Sequence, residues 1–183
     1  HSIQEFVEEV IFSDGAEVRI FQNSNCAFRY RESVFKRQKE WIILAAKLRF
    51  RSGKRAELQK EASEIQAIRD AKYPPSMKCA GSIFKNCLFA ELPISVQEQI
   101  PAKLVREGKV PSAWFLEQVD AKGLRRGDIQ VAAYHANLIY NDGAGTAQDL
   151  VTVIRELKRR VFERFGFPLE EEVQYIGDAR VFD

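Results

Sequence analysis

The sequence predicts an α+β fold, because its β-prone and helical stretches come in blocks rather than in alternation. The order is strands, helix, mixed region, helix and strand, with an Asp-Gly hairpin signal near the start and two long helical periods. No internal repeat or low-complexity tract runs through the 183 residues. That length suits one ordinary domain, or one domain with part of another, and can bury a sizeable core.

Phe6 to Phe12 and Glu17 to Phe21 are short β-prone runs around Ser13-Asp14-Gly15-Ala16, which predicts a hairpin. Trp41 to Phe50 combines aromatic and branched residues over the length of a long strand that runs out at Ser52-Gly53. From Lys54 to about Ala71, Leu58, Ala62, Ile65 and Ile68 recur at helical spacing and predict an amphipathic helix. Tyr73-Pro74-Pro75-Ser76 ends that helix, since proline cannot continue it and pushes the preceding residue to extended geometry. This is the best-marked domain boundary in the chain.

Leu88 to Ser112 holds Pro93, Pro101 and Pro111 and no sustained period, so it reads as an excursion with at most one or two short helices. Trp114 to Val119 is a short apolar helix with Lys122-Gly123 as its expected left-handed cap. Ile129 to Tyr140 reads as strand interrupted around His135. Thr146-Ala147-Gln148-Asp149 is a capping box with aspartate in place of glutamate. It opens a helix whose apolar stripe is Leu150, Val153, Ile154, Leu157 and Val161 and whose end is Gly166.

Composition narrows the function classes. Twenty-eight basic residues against 26 acidic ones leave a net charge of +2, and acids interleave the basic stretches, so no nucleic-acid-binding field is expected. No apolar run approaches the roughly 18 residues of a membrane helix. Cys26, Cys79 and Cys87 show no metal-ligand spacing and His1 and His135 are the only histidines, which argues against structural zinc. Unpatterned cysteines and no visible signal peptide predict a cytoplasmic protein.

Candidate chemistry lies in the small-residue turn Cys79-Ala80-Gly81-Ser82-Ile83-Phe84-Lys85-Asn86, answered by Leu169-Glu170-Glu171-Glu172-Val173. A serine hydroxyl, a lysine three positions on and a late carboxylate can together hand a proton to a carbon next to a substrate carboxylate. The plain alternative is a serine that caps a turn. Asn141-Asp142-Gly143-Ala144-Gly145-Thr146 fails as a dinucleotide fingerprint, because Gln148 replaces the third glycine, and reads as a helix-entry turn. His135 reads as structural. Arg31, in Tyr30-Arg31-Glu32-Ser33, has the fork that suits a carboxylate or phosphate, with a surface pair to Glu32 or Glu40 as the default.

These signals fall in one order. Phe28 to Lys36, Arg69, Ala80-Gly81-Ser82-Ile83-Phe84-Lys85-Asn86, His135-Ala136-Asn137 and Phe165 to Gly177 together resemble the UDP-N-acetylenolpyruvoylglucosamine reductase family, the flavin enzymes that make UDP-N-acetylmuramate for bacterial peptidoglycan. The likeness spans nearly the whole chain.

The resemblance implies residues 1–77 as the second half of an α+β FAD-binding domain, 78–166 as an α+β UDP-sugar domain, and 167–183 as a strand returning to the flavin region. It implies reduction of UDP-N-acetylenolpyruvoylglucosamine with FAD as cofactor and NADPH as reductant, in a monomeric cytoplasmic protein. The glycine-rich flavin-holding segments of the family would precede His1, so the chain is expected to be a fragment, inactive alone. By the same resemblance Ser82, Glu172 and Arg31 are catalytic, Tyr30, Arg69, Lys72, Lys85 and Asn86 bind substrate, and Arg69 and Gly81 touch the cofactor. No metal is expected. Lys72 or Lys85 would ease proton release from Ser82. Cys87 and Glu171 stand where the family usually has proline, Leu88 to Ser112 is longer than the usual connection, and the tyrosine-bearing loop of some relatives is missing near Lys54 to Ala71. The alternatives are a non-catalytic UDP-sugar-binding remnant of this ancestry, or a small interaction protein indifferent to UDP-sugars.

Overall fold

The computed structural model describes residues 2–177, and the chain divides into two compact units, His1–Arg69 and Asp70–Asp183. In the first unit β1 (Val7–Ser13) lies between β2 (Val18–Gln22) and β3 (Ile42–Leu48), antiparallel to both. The expected hairpin forms around Asp14, whose Oδ1 accepts the main-chain N–H groups of Glu17 (2.8 Å) and Ala16 (3.0 Å). Those bonds, with Arg19 adding to them, hold its carboxyl down at about 2.

Phe12 is wholly buried at the centre of an aromatic cluster, its ring centroid 4.7 Å from Phe21, 5.2 Å from Phe35 and 4.6 Å from Trp41. Phe35 comes from the single turn α1 (Val34–Arg37). Trp41 precedes the β3 ladder and stacks on Phe12, so the predicted strand is shortened at its start. Stacked and edge-on rings add about 0.5–1.5 kcal/mol per pair beyond area burial, which concentrates the cohesion of this small sheet on one face.

The long helix α2 (Arg55–Lys72) forms where its period predicts, but its apolar stripe is not a core face. Leu58 is 53%, Ile65 51% and Ile68 70% exposed, and no residue of the helix is buried. Residues of high helix propensity and pairs such as Lys60 with Glu64 (3.9 Å) sustain it locally.

The second unit contains β4 (Lys78–Ser82), β5 (Cys87–Leu88), β6 (Lys109–Val110), β7 (Arg125–Arg126), β8 (Ile129–Val131) and β9 (Leu138–Asn141). Antiparallel pairing orders four of them β4-β9-β8-β7, while β5 and β6 form a separate ladder. Its helices are α3 (Ile94–Gln97), α4 (Ser112–Glu117) and α5 (Ala147–Phe165). Val153, Ile154, Leu157 and Val161 of α5 are buried with Ile83, Phe84, Phe115, Val131 and Ile139, so the predicted stripe is a core face here.

Other expectations need correcting. Leu88 to Ser112 is no polar excursion, since Leu92, Val96, Ile100 and Val110 are buried in the core. Its prolines start elements rather than break them: Pro93 precedes α3, Pro101 a 3-10 turn and Pro111 α4, each where a first-turn N–H has no helical partner to lose. Gly123 does not end α4. Asp120 takes the left-handed conformation after the helix (φ 53°), and Gly123 (φ 76°) belongs to the next turn, in which Leu124 N–H donates to Ala121 O at 3.1 Å. The strand expected within 167–183 appears only as an isolated bridge at Glu171, and residues 178–183 of that expectation lie outside the described residues.

The capping box at α5 is formed as predicted. Thr146 Oγ1 accepts Asp149 N–H at 3.1 Å and Asp149 Oδ2 accepts Thr146 N–H at 3.1 Å. Thr146→Ala should lower thermodynamic stability by about 1 kcal/mol. It should also raise the Asp149 pKa, which bonds from Thr146 and the charge of Arg126 now lower, and a carboxyl NMR titration reads that direction.

Candidate active site

Ser82 owes its position to a register break. β4 and β9 pair Cys79 with Tyr140 and Ser82 with Leu138, so β4 carries one more residue than its partner between those pairs. Gly81 absorbs the extra residue with φ 82°, a conformation that costs a side-chain-bearing residue strain. Because facing positions alternate along a strand, this bulge moves Ser82 off the face of Ile139, which packs under α5, and onto the face of Leu138 and Tyr140. A cleft of about 380 Å³ opens on the Ile83, Ile129 and Ile139 side, next to the start of α5. Ser82 does not line it.

Beyond Ser82 the main chain is held from two directions. Ile83 N–H donates to Asn137 O at 3.1 Å, and the buried Asn137 carboxamide brackets the main chain of Phe84, accepting its N–H at 2.9 Å and donating to its carbonyl at 2.9 Å. On the other side Lys85 N–H donates to Glu170 O at 2.9 Å and Glu172 N–H to Ile83 O at 2.7 Å, with Phe84 facing Glu171 across an antiparallel bridge. The structure therefore brings the main chain of Glu172 to the loop that carries Ser82, Lys85 and Asn86, although Ser82 and Glu172 lie 90 positions apart in the sequence.

Charges around this loop are committed in part. Lys85 Nζ lies 3.0 Å from Glu170 Oε2 and its side chain is only 15% exposed, so the field it can exert on Ser82 is reduced by that carboxylate. Glu171 bonds Lys158 of α5 at 2.8 Å. Burial, with Glu171 as hydrogen-bond partner, pushes the Tyr175 phenol up. Burial and then the Glu170 charge push the Cys87 thiol up to about 12, which keeps it protonated and unreactive at neutral pH. Lys72 lies to the side of Tyr73, Tyr134 and His135: its Nζ is 5.3 Å from the Tyr73 ring centroid and its carbonyl accepts Tyr134 Oη–H at 2.9 Å. Burial first, and Lys72 next, lower the His135 pKa.

In the first unit Tyr30 and Arg31 form the tip of a tight turn, closed by Arg29 N–H to Glu32 O (3.0 Å) and Glu32 N–H to Arg29 O (3.2 Å). Arg31 takes φ 55°, the third-position geometry that turns of this type usually reserve for glycine or asparagine. Its guanidinium carbon stands 5.3 Å from the Tyr30 ring centroid, and its carbonyl accepts Lys36 Nζ at 3.0 Å. Arg69 is exposed on α2.

Comparison with known proteins decides what this arrangement belongs to. Residues 73–176 match the model of the UDP-N-acetylenolpyruvoylglucosamine reductase C-terminal domain. The chain belongs to this reductase family. It is 60% identical to UDP-N-acetylenolpyruvoylglucosamine reductase of Solibacter usitatus over 97% of its own length and 57% of that protein, and 32% identical to the Carboxydothermus hydrogenoformans protein of the same name over 91% of its length and 48% of that protein. The chain thus spans about half the length of the curated relatives it matches. Among solved structures, the Thermus caldophilus reductase superposes with a TM-score of 0.64 at 25% identity, covering 93% of this chain and 53% of that one.

Within the reductase family frame, the residues present fit a flavin only in part. Above Gly81 nothing stands within 4 Å of where a Cβ would be, leaving room for a flat ring to approach the main chain. The glycine-rich turn before α5 is filled instead: a Cβ on Gly143 would meet Asp128 Oδ2 at 2.6 Å, and one on Gly145 would meet Ile129 Cδ1 at 2.8 Å. That turn is no diphosphate cradle. Sequence reading also gave no role to Asn137 or Ser112, the two buried polar residues at the back of the Ser82 loop.

Arg31 pays backbone strain of roughly 1 kcal/mol for its left-handed conformation. Arg31→Gly should leave the melting temperature level or raise it, and a clear fall would mean that the side chain contributes more than its backbone costs.

Proposed function

We propose that this chain is the substrate-binding and proton-delivering part of a UDP-N-acetylenolpyruvoylglucosamine reductase, which converts that substrate to UDP-N-acetylmuramate with NADPH as reductant and FAD as redox cofactor. The observation that carries the reading is the bulged Ser82 turn held against Glu170 to Glu172 in a chain 60% identical to a named reductase. In this reading residues 1–77 complete a flavin-binding domain, 78–166 take the UDP-sugar, and 167–183 return toward the flavin region. The protein works as a cytoplasmic monomer; no helix among the described residues is long and apolar enough to cross a membrane.

Flavin, when bound, supplies the hydride that C3 of the enolpyruvyl group receives. The chain's own residues handle the charge and the proton. Negative charge develops at C2 and on the adjoining carboxylate, and the fixed guanidinium fork of Arg31 stabilises it. Glu172 supports the same intermediate. Ser82 Oγ–H protonates C2, and the hydroxyl recovers its proton from solvent, so hydride plus proton saturate the double bond. Lys72 or Lys85 eases that step, Lys85 with its charge partly offset by Glu170. Tyr30, Arg69, Lys72, Lys85 and Asn86 hold the UDP-sugar, and Arg69 and Gly81 are this chain's contacts to the flavin.

Since the Gly143 to Gly145 turn is filled, the 183-residue chain alone should retain little FAD. A sample that leaves gel filtration yellow, with one flavin per chain, would overturn that expectation.

A complete enzyme, made by joining this chain to the rest of the Solibacter usitatus relative, tests the function. It should oxidise NADPH only when given UDP-N-acetylenolpyruvoylglucosamine at a catalytic rate. Ser82→Ala should leave flavin bleaching by NADPH unchanged and slow flavin recovery on the enolpyruvyl substrate by ~10²-fold or more. Stopped-flow absorbance separates the two phases; equal slowing of both would make Ser82 a folding or binding residue, and slowing of neither would end its role as donor.

A further inference from the structure

At the back of the Ser82 loop one buried side chain brackets both main-chain polar groups of a single residue, Phe84. Asn137 is 3% exposed. Its Oδ1 accepts Phe84 N–H at 2.9 Å, and its Nδ2 donates to Phe84 O at 2.9 Å and to Ser112 Oγ at 2.8 Å. The amide orientation follows from chemistry, because Phe84 N–H can only donate and so must face the oxygen. Ser112, wholly buried, donates to Phe84 O at 3.4 Å, while its main-chain N–H donates to Asn86 Oδ1 at 3.4 Å. One network therefore reaches both the main chain of Phe84 and the side chain of Asn86.

The ladder explains why a side chain is needed. Regular pairing of β4 with β9 ends at Ser82 and Leu138, where the hairpin from Ala132 to Leu138 turns away. The Asn137 carboxamide presents a donor and an acceptor at the spacing of a peptide, and so extends the ladder past the bulge by one further pair. Without it Phe84 N–H loses its partner in a buried setting, and opposite Glu170 to Glu172 the loop keeps only the Ile83 N–H bond to Asn137 O and the long contacts of Ser112.

We propose that Asn137 is a positioning residue of this site, fixing the main chain on both sides of Phe84 and through it the placement of the Ser82 hydroxyl and the Asn86 amide. The catalytic half of this inference rests on the reductase reading given above. Asn137 touches neither substrate nor cofactor in it; its effect passes through geometry, where a displacement of about 1 Å can cost 10²-fold in rate.

Two measurements test it. Amide hydrogen exchange on the 183-residue chain should show Phe84 exchanging roughly tenfold or more faster in Asn137→Ala than in the parent, the loss expected when a buried hydrogen-bond partner goes. In the complete enzyme Asn137→Ala should leave flavin reduction by NADPH unchanged and slow flavin recovery on the enolpyruvyl substrate by about 10-fold or more, with KM moving far less than kcat. Asn137→Asp supplies a second arm, should the alanine variant fail to fold. Its carboxylate keeps an acceptor for Phe84 N–H and loses the donor to Phe84 O, and protonation restores a donor. Burial raises the pKa of such a carboxyl, so substrate turnover by this variant, taken as a ratio to the parent, should rise as pH falls. Faster exchange with unchanged substrate turnover, or a turnover ratio flat with pH, would reduce Asn137 to a merely structural residue and overturn the proposal. If the parent enzyme itself shows no reductase turnover, the reductase reading falls, and unchanged Phe84 exchange would then refute the positioning of the loop separately.

Discussion

The main chain of Phe84 is the point on which the site depends. Its N–H and carbonyl are closed by one buried carboxamide, and the residues on either side of it bond the main chain of Glu170 and Glu172. Magnitudes rank these ties. Removing the partner of a buried peptide group costs about 1–3 kcal/mol, whereas an exposed ion pair is worth about 0–1 kcal/mol. Glu170, with a side chain 72% exposed, therefore anchors Lys85 only loosely. The buried amide and the backbone bridge, not the visible charges, set where Ser82, Asn86 and Glu172 stand.

Backbone strain is used twice, with different residues. At Gly81 the left-handed conformation is taken by glycine, which bears it without steric cost, and it buries nothing, so its effect is to redirect Ser82 from one face of the sheet to the other. At Arg31 the same region of conformational space is occupied by a long cationic side chain. Glycine would suit the turn better, so here the conformation costs the backbone strain that Gly81 avoids.

Much of this was legible in the chain. The Asp14-Gly15 hairpin, the α5 stripe with its Thr146 and Asp149 cap, and the Gly81-Ser82 turn all rest on local chemistry, which short sequence windows contain. What escaped was set at long range. Leu92, Val96 and Ile100 look like loop residues because the elements carrying them are single turns with no period to detect, yet they are buried. The α2 stripe failed in the opposite sense: Leu58, Ile65 and Ile68 keep helical spacing, and spacing alone does not say whether a partner covers them. Asn137 was visible only as part of a motif, since its carboxamide acts on a peptide 53 positions earlier.

The bridge also accounts for an odd residue at the end of the chain. Where the family resemblance has proline, this chain has Glu171, directly opposite Phe84. The two bonds of that bridge come from Lys85 N–H and Glu172 N–H, so position 171 is the non-hydrogen-bonded pair and its own N–H has no part in the bridge. A residue without an N–H is admissible at that place, and exchanging it for glutamate leaves the register of Glu172 unchanged. The carboxylate adds a tie that proline lacks, accepting Lys158 Nζ of α5 at 2.8 Å. Glu170 and Glu171 thus pair with lysines of the loop and of α5 respectively, while Glu172 is tied to the loop through its main-chain N–H to Ile83 O.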